Sequence, residues 1–276
     1  MSLTLTGRLG LIRDMLPEGR CLCDVGTDHA LVPAAAVLDG RYARAVASDI
    51  RPGPLERAAR TLRRHDLESR IALRLGAGLD PIAPGECDGI VIAGMGALMI
   101  TGILEQGAAV AREAACILLQ PMHAQEKLRP WLRANGYELL GERLAQEGEK
   151  RYQVLAVRHA AAGGMAWDAS SFGAPPFPGL PTDPADPLYD RVGWGTLRGD
   201  RTLVAAWVRD WTERQRRIVE GLRRSGRNPD GLAGEAAILH GLEICLSAVS
   251  EKASGTRRVT ADGTEPACGQ RSGGGE

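Results

Sequence analysis

The sequence predicts an α/β fold: a mostly parallel sheet of seven strands whose last two run antiparallel, followed by a C-terminal helical coiled-coil hairpin. Three observations carry this reading. Short apolar runs alternate with helical patterns from Cys21 to Pro121, as they do where parallel strands are joined by crossover helices. The link from Gln146 to Lys150 is too short for a parallel crossover, so the two runs it joins pair as a hairpin. Beyond residue 195, two stretches carry apolar residues near heptad spacing, which suits two helices packed against one another.

Taken in order, Leu5, Leu9, Ile12 and Leu16 stand at helical spacing and predict an amphipathic helix packed on the sheet edge. Strands follow near 21–26, 44–50, 71–76, 88–95 and 116–121. The helix after Asp49 starts at Pro52-Gly-Pro54 and turns Leu55, Ala58, Ala59 and Leu62 to the core. A helix containing Leu128, Trp131 and Leu132 ends at Asn135-Gly136, with a kink expected at Pro130. Two last strands lie near 137–144 and 151–158. Residues 160–195, rich in Pro, Gly, Ala and Asp, read as a linker or wrapping loop. The hairpin then pairs Val204, Trp207, Trp211, Ile218 and Leu222 with Leu232, Ala236, Leu239, Leu242, Leu246 and Val249. The expected organisation is a cofactor-binding domain over 1–159, the linker over 160–195, the helical domain over 196–253 and a disordered polar tail over 254–276.

Composition narrows the function. With 44 % hydrophobic residues in 276, the chain can bury a sizeable core. No basic start precedes a long apolar run and no stretch of about eighteen apolar residues is evident, so a cytoplasmic protein without a membrane span is expected. The six cysteines, at 21, 23, 87, 116, 245 and 268, form no metal-binding spacing; they read as reduced core residues and no metal is expected. Lys and Arg total 34, balanced by 34 Asp and Glu, so any nucleic-acid contact must be local. Such an excess exists from Asp190 to Arg227, where ten arginines face five acidic residues.

The most informative stretch is Asp24-Val-Gly26-Thr-Asp28-His29, an apolar strand ending in a glycine turn. Glycine at 26 permits a left-handed backbone and close approach of a ligand. A phosphate site at a helix start would avoid carboxylates, so Asp24 and Asp28 point to a cationic ligand with hydroxyl and amino donors. S-adenosylmethionine, with its sulfonium, ammonium and ribose, fits that chemistry. Asp49 ends the next strand about twenty residues later, where a carboxylate meets ribose hydroxyls. His29 reads either as a functional residue beside this turn or as a helix-start residue satisfied by local hydrogen bonds.

These residues resemble the bacterial tRNA (adenine-22-N1)-methyltransferases of the TrmK type. The likeness rests on Asp24-Val-Gly-Thr-Asp-His-Ala-Leu-Val-Pro33, Ala47-Ser-Asp-Ile-Arg-Pro-Gly-Pro-Leu55, Ile92-Ala-Gly-Met-Gly96, and Ile117-Leu-Leu-Gln-Pro121 with Leu128-Arg-Pro-Trp-Leu132. It implies a Rossmann-like class I methyltransferase sheet with a helical C-terminal domain, S-adenosyl-L-methionine as cofactor and tRNA as partner. By the resemblance, Asp24 and Gly26 line the methionine end of the cofactor. Asp49 and Ile50 lie at the ribose, Gly76, Ala77 and Gly78 at the adenine end, and Ala93, Gly94, Met95 and Gly96 form the floor below the target base. Asp28 and His29 face the reaction centre, and Gln120, Pro121 and His123 the substrate. The chain departs from the family at Ala77, where an Asp is usual, at Met122, usually Asn, at Ala97, usually Gly, and around Trp194-Gly-Thr-Leu197. Besides methylation of adenine N1 in tRNA, two other readings stand: methylation of another RNA or a small molecule, and a cofactor- or RNA-binding protein without catalysis.

Overall fold

The computed structural model describes residues 3–160, 173–226 and 229–254; most of the tail expected from 254 and residues 161–172 of the expected linker lie outside them. Helix α1 (Gly7–Met15) precedes β1 (Gly19–Val25), α2 (Leu31–Leu38), β2 (Tyr42–Asp49), α3 (Pro52–Arg64) and β3 (Ile71–Leu75). The chain then crosses to β4 (Gly89–Met95), α4 (Ala97–Gln106), the short α5 (Ala108–Ala111), β5 (Cys116–Pro121), α6 (Gln125–Ala134), β6 (Tyr137–Glu147) and β7 (Lys150–His159). The strands form one seven-stranded sheet in the order β3-β2-β1-β4-β5-β7-β6. Pairing is parallel from β3 to β5 and antiparallel for β5 with β7 and β7 with β6. The order reverses between β1 and β4, and a sheet of this kind opens its ligand crevice beyond the strand ends at that reversal.

The alternation of side chains along the central strands feeds two cores. Cys21, Cys23 and Val25 join Ile90, Ile92, Ile117 and Leu119 beneath α4 and α6; Leu22, Ala45, Ala47, Val91 and Leu118 face the other way, under α1, α2 and α3. Strands covered on both faces need such continuous apolar runs. Cys21 and Cys87 bring their sulfurs within 3.5 Å, and that contact, with burial, holds the Cys21 thiol far above its ordinary pKa. The described cysteines are buried and free. Helix α1 lies across β6 and β7, pinned where the Arg8 backbone N–H donates to Glu147 at 2.8 Å. Helix α6 runs uninterrupted through Pro130.

The C-terminal region differs from expectation in three respects. Part of the stretch expected to be loop forms helix α7 (Pro187–Val192), and Leu180, Leu188, Tyr189, Val192 and Trp194 belong to a third core. Helices α8 (Arg201–Ser225) and α9 (Pro229–Ser254) form the hairpin, antiparallel because Arg201 donates to the Ala248 carbonyl while Gln215 meets the Glu235 carbonyl. Its seam is shifted from the predicted one: Val219 is buried and Ile218 is 38 % exposed, while Ile238, Leu242, Cys245 and Val249 form the α9 side. A 25-residue helix at 3.6 residues per turn drifts off a strict heptad. Finally, α9 over Pro229–Ser250 is long and apolar enough to cross a membrane, with a mean hydropathy of 1.5, correcting the expectation that no such segment exists. Its small and leucine-rich faces account for that value, and its seam packs on the α8 tryptophans.

A buried polar network fastens the C-terminal region to the sheet domain. Arg129 and Glu142, with side chains 1 % and 0 % exposed, form an ion pair at 2.9 Å. Arg129 also donates to the Asp190 carbonyl, and Glu142 accepts from Gln153 and Thr196. Arg133 grips the Asp190 carboxylate at 2.7 Å. Burial of this kind is tolerated only when each charge is met.

Candidate active site

A cavity of about 310 Å³ opens at the strand reversal, lined by Asp24, Gly26, Thr27, Asp28, His29, Ala93 and Gly94, with Arg8 and Leu9 of α1 at its rim. Strand β1 delivers Asp24 to its floor. That carboxylate is buried, and desolvation raises it from the ordinary carboxylate value to about 6, with the Thr27 hydroxyl offsetting part of the rise. A buried acid without a cationic partner is costly unless a ligand supplies one. Gly26 adopts φ +74, and a Cβ there would collide with Cε of Met95. The turn is fixed by the N–H groups of Gly26 and Thr27, both donating to the Ser48 carbonyl at 2.8 and 2.9 Å.

Asp49 sits at the end of β2, its side chain nearly buried. Its Oδ1 accepts from the Arg51 backbone N–H at 2.8 Å; among the described residues no donor reaches its other oxygen. The neighbouring Ile50 is 66 % exposed, a flat apolar surface beside a free carboxylate oxygen. The loop Gly76, Ala77, Gly78 is held against this point by the Gly76 N–H, which donates to the Asp49 carbonyl at 3.1 Å.

The floor of the cleft is built by an irregularity in β4. Register jumps between Ala93 and Met95, Gly94 takes φ +76, and its freed N–H donates to Oε1 of Gln120 at 3.1 Å. Gln120 is completely buried and its amide donates to the Pro121 carbonyl. Both Gln120 and Pro121 were expected to touch the substrate; enclosed in β5, they shape the floor from beneath instead. Met122, 41 % exposed, takes a hydrogen bond from the Gln120 amide on its sulfur. The exposed His123 lies over Gly96, and its carbonyl accepts from Ala97 N–H at 3.1 Å.

With acids at the ends of β1 and β2 and a glycine floor at the end of β4, the chain can be set beside known proteins of similar sequence and fold. The family described as a methyltransferase domain matches residues 5–155. The tRNA (adenine(22)-N(1))-methyltransferase of Bacillus subtilis (strain 168) is 37 % identical over 172 residues, covering 62 % of this chain and 72 % of that protein. The chain belongs to the tRNA (adenine(22)-N(1))-methyltransferase family. Among solved structures of similar fold, the B. subtilis M1A22 tRNA methyltransferase TrmK superposes with a TM-score of 0.68 at 27 % identity, covering 91 % of this chain and 99 % of that one. A Streptococcus pneumoniae protein crystallised with S-adenosyl-L-methionine gives 0.65 at 26 % identity, covering 84 % and 98 %.

Within this methyltransferase the sequence-derived residues fall into three groups. Asp24, Gly26, Asp28, His29, Ala93 and Gly94 line one cavity. Asp49, Ile50 and Gly76 to Gly78 gather at the ends of β2 and β3, where Asp49 pairs in register with Leu75. Met95, Gly96 and His123 form the floor and its edge. Three features escape sequence reasoning. Arg57 of α3 donates to Asp28 through Nε at 2.7 Å and also through its terminal nitrogen, while His29 Nε2 lies 3.4 Å from the other Asp28 oxygen. Arg8 closes one rim while bound to Glu147 and placed 5.1 Å over the Tyr152 ring. Leu98 and Met99, on the first turn of α4, are 65 % and 60 % exposed. No period in the sequence marked Leu98 and Met99, because their exposure depends on what the fold packs over the first turn of α4. Among the described residues no cluster of His, Cys, Asp or Glu could hold a metal ion.

Proposed function

We propose that this chain methylates N1 of adenine 22 in tRNA, using S-adenosyl-L-methionine. The observation that carries the reading is the buried Asp24, met by the Thr27 hydroxyl but by no cation among the described residues, facing a cavity whose neighbouring strand ends offer Asp49 and a glycine floor. The cavity chemistry fits this cofactor: Asp24 meets a cation, Asp49 has one oxygen free for ribose hydroxyls, Ile50 offers an apolar face to the adenine ring, and Ala77 supplies only backbone groups at the adenine end. When bound, the cofactor supplies an electrophilic methyl group on sulfur.

Adenine N1 carries its lone pair in the plane of the ring and needs alignment, not deprotonation, so the chain's main task is positioning. The loop from Gly94 to Gly96 lets the base approach closely, with Leu98, Met99 and Met122 forming an apolar ledge at its mouth and His123 at its edge. Methylation leaves the base cationic, with charge shared onto its exocyclic amino group. Asp28, with Oδ1 engaged by Arg57 and Oδ2 facing the cavity beside His29, accepts from that amino group. The bond strengthens as charge develops, which favours the transition state over the ground state. The base must leave its stack to arrive here.

The catalytic domain spans 1–159, and the helical domain takes in α7 and the third core from Leu180 onward; the latter contributes basic surface for the tRNA body. The enzyme works in the cytoplasm alongside its substrate. The test is methyl transfer from labelled S-adenosyl-L-methionine to unmodified tRNA, with nucleoside analysis of the product. One-methyladenosine at position 22 is the expected result; cofactor binding without transfer to any tRNA sinks the reading.

A further inference from the structure

Among the described residues seven large apolar side chains stand exposed, and five of them crowd one rim of the fold. Ile50 follows β2 and Leu75 ends β3; Leu98 and Met99 follow β4 on the first turn of α4, and Met122 follows β5. Each lies at or just beyond the carboxyl end of a parallel strand, around the cleft. Exposed apolar residues scattered singly need no explanation, whereas a cluster beside a site marks an interaction surface. Ile50 and Leu75 belong to the side that the proposed function gives to the cofactor's adenine. Leu98 and Met99 stand on the other side, beyond the glycine floor. Helix α4 confines their exposure to the cleft. Ala97, Ile100, Thr101 and Leu104 face the core, and the opposite face carries Leu98 and Met99 at its start but Glu105 and Gln106 at its end. Only the turn that meets the floor is apolar in water. That turn is firmly held: the Met99 and Ile100 N–H groups donate to the Gly96 carbonyl at 3.0 and 3.1 Å, and the Ala97 N–H to the His123 carbonyl. Neither Leu98 nor Met99 lines the cavity that holds Asp24, Asp28 and Gly94. What they meet is therefore not a base lodged in that cavity but the groups beside it.

A base that leaves its stack opens a gap between its two neighbours, and Leu and Met are among the apolar side chains that wedge into such gaps. We infer that Leu98 and Met99 form a wedge that enters the tRNA stack as the target adenine leaves it, packing on the neighbouring bases and holding the gap open. This rests on the proposed function for the identity of the partner as RNA. The two side chains gain burial that they lack in the free protein, and that gain offsets part of the cost of unstacking. The target nucleotide is thereby positioned from outside the cavity, by residues that touch neither the methyl group nor the reacting nitrogen.

The experiment compares wild type with a Leu98→Gln, Met99→Gln double variant and with a Leu98→Met, Met99→Leu double variant. Three readouts are taken: fluorescence of tRNA carrying 2-aminopurine at the target position, methyl transfer to unmodified tRNA, and methyl transfer to tRNA made abasic on either side of the target. Wild type should brighten the 2-aminopurine, which is quenched while stacked, and the Gln variant should lose that brightening. Its kcat/KM on unmodified tRNA should fall about 10- to 100-fold, the equivalent of part of the burial of two such side chains. On the abasic-flanked tRNA, where there is no stack to enter, the gap between the two proteins should narrow to within about threefold, on the order of 0.6 kcal/mol. The swapped Met and Leu variant, which keeps the apolar volume, should restore both brightening and kcat/KM. Full brightening by the Gln variant would overturn the wedge, as would an equal loss on both RNAs. Weaker S-adenosyl-L-methionine binding by the Gln variant with its RNA behaviour unchanged would make the two residues a cover for the cofactor, and a shift in sedimentation alone would make them a contact between copies of this chain; either result sinks the inference. Wild-type protein that brightens the probe but methylates no tRNA would refute the functional reading and leave the wedge standing.

Discussion

Asp24→Asn should make the cofactor-free protein more stable and the cofactor-bound protein less so. Burial raises the Asp24 carboxyl from 3.8 to about 6, roughly 2 units, or ~3 kcal/mol at about 1.4 kcal/mol per unit. Because the folded value lies above the unfolded one, the group's favourable contribution is complete below its unfolded value and is lost as pH rises through about 6. At pH 7.5 the empty enzyme therefore carries an ionised, desolvated carboxylate. Asparagine keeps the shape and removes the charge, so thermal unfolding of the cofactor-free variant at pH 7.5 should occur about 6–12 °C higher, taking ~2–4 °C per kcal/mol for a chain of this size. Near pH 4 the difference should nearly vanish. Calorimetric titration with S-adenosyl-L-methionine should show the reverse order. Removing the charged partner of the ammonium costs about 1.5–3 kcal/mol, roughly 10- to 100-fold in affinity, and wild-type affinity should itself fall as pH drops below about 6. A cofactor-free Asp24→Asn protein no more stable than wild type at pH 7.5, or one that binds the cofactor equally well, would refute the assignment of Asp24 as a desolvated anion awaiting a cation.

Other substitutions separate positioning from chemistry. Asp28→Ala should lower kcat by about 10²- to 10³-fold with little change in cofactor affinity, and Arg57→Ala should lower kcat less, since it leaves the acceptor in place but unguided; single-turnover transfer assays would show whether Asp28 is dispensable. Asp49→Ala should weaken cofactor binding by about 1.5–3 kcal/mol and leave kcat at saturation close to wild type, which equilibrium binding and steady-state kinetics measure together. Glu142→Gln leaves Arg129 buried without its counter-ion and should cost about 3–5 kcal/mol, seen as a lower midpoint in urea unfolding and faster proteolysis within Ala185 to Gly199; an unchanged midpoint would mean that the network does not hold the two regions together.

The order and type of the strands and of the helices between them were legible in the residues because the signals are local, whereas α7 was read as loop. The alternation of short apolar runs with helical patterns, the stripe read from Leu55, Ala58, Ala59 and Leu62, of which Ala58 and Leu62 are buried, and the short turn before Lys150 each depend on a few neighbours in the chain and on fixed backbone periods. The acidic glycine turn at Asp24 to Asp28 and the strand-end Asp49 were legible for the same reason: a functional acid at the end of a parallel strand is defined by its place in the run. Tertiary structure decided what lies across the fold. The Arg57 contact with Asp28 joins residues 29 apart, and the Arg8 contact with Glu147 joins residues 139 apart; no period in the sequence encodes such pairs. The resemblance placed Gln120 and Pro121 at the substrate, yet the bulge at Gly94 turns the Gln120 amide inward to satisfy a backbone N–H. The seam of α8 moved from Ile218 to Val219 because the drift of a long helix is resolved only by the surface it packs on. Sequence thus determined which groups stand at the strand ends, since backbone geometry is local, and the tertiary structure determined which of them remain free to meet a ligand, since that depends on every side chain brought against them.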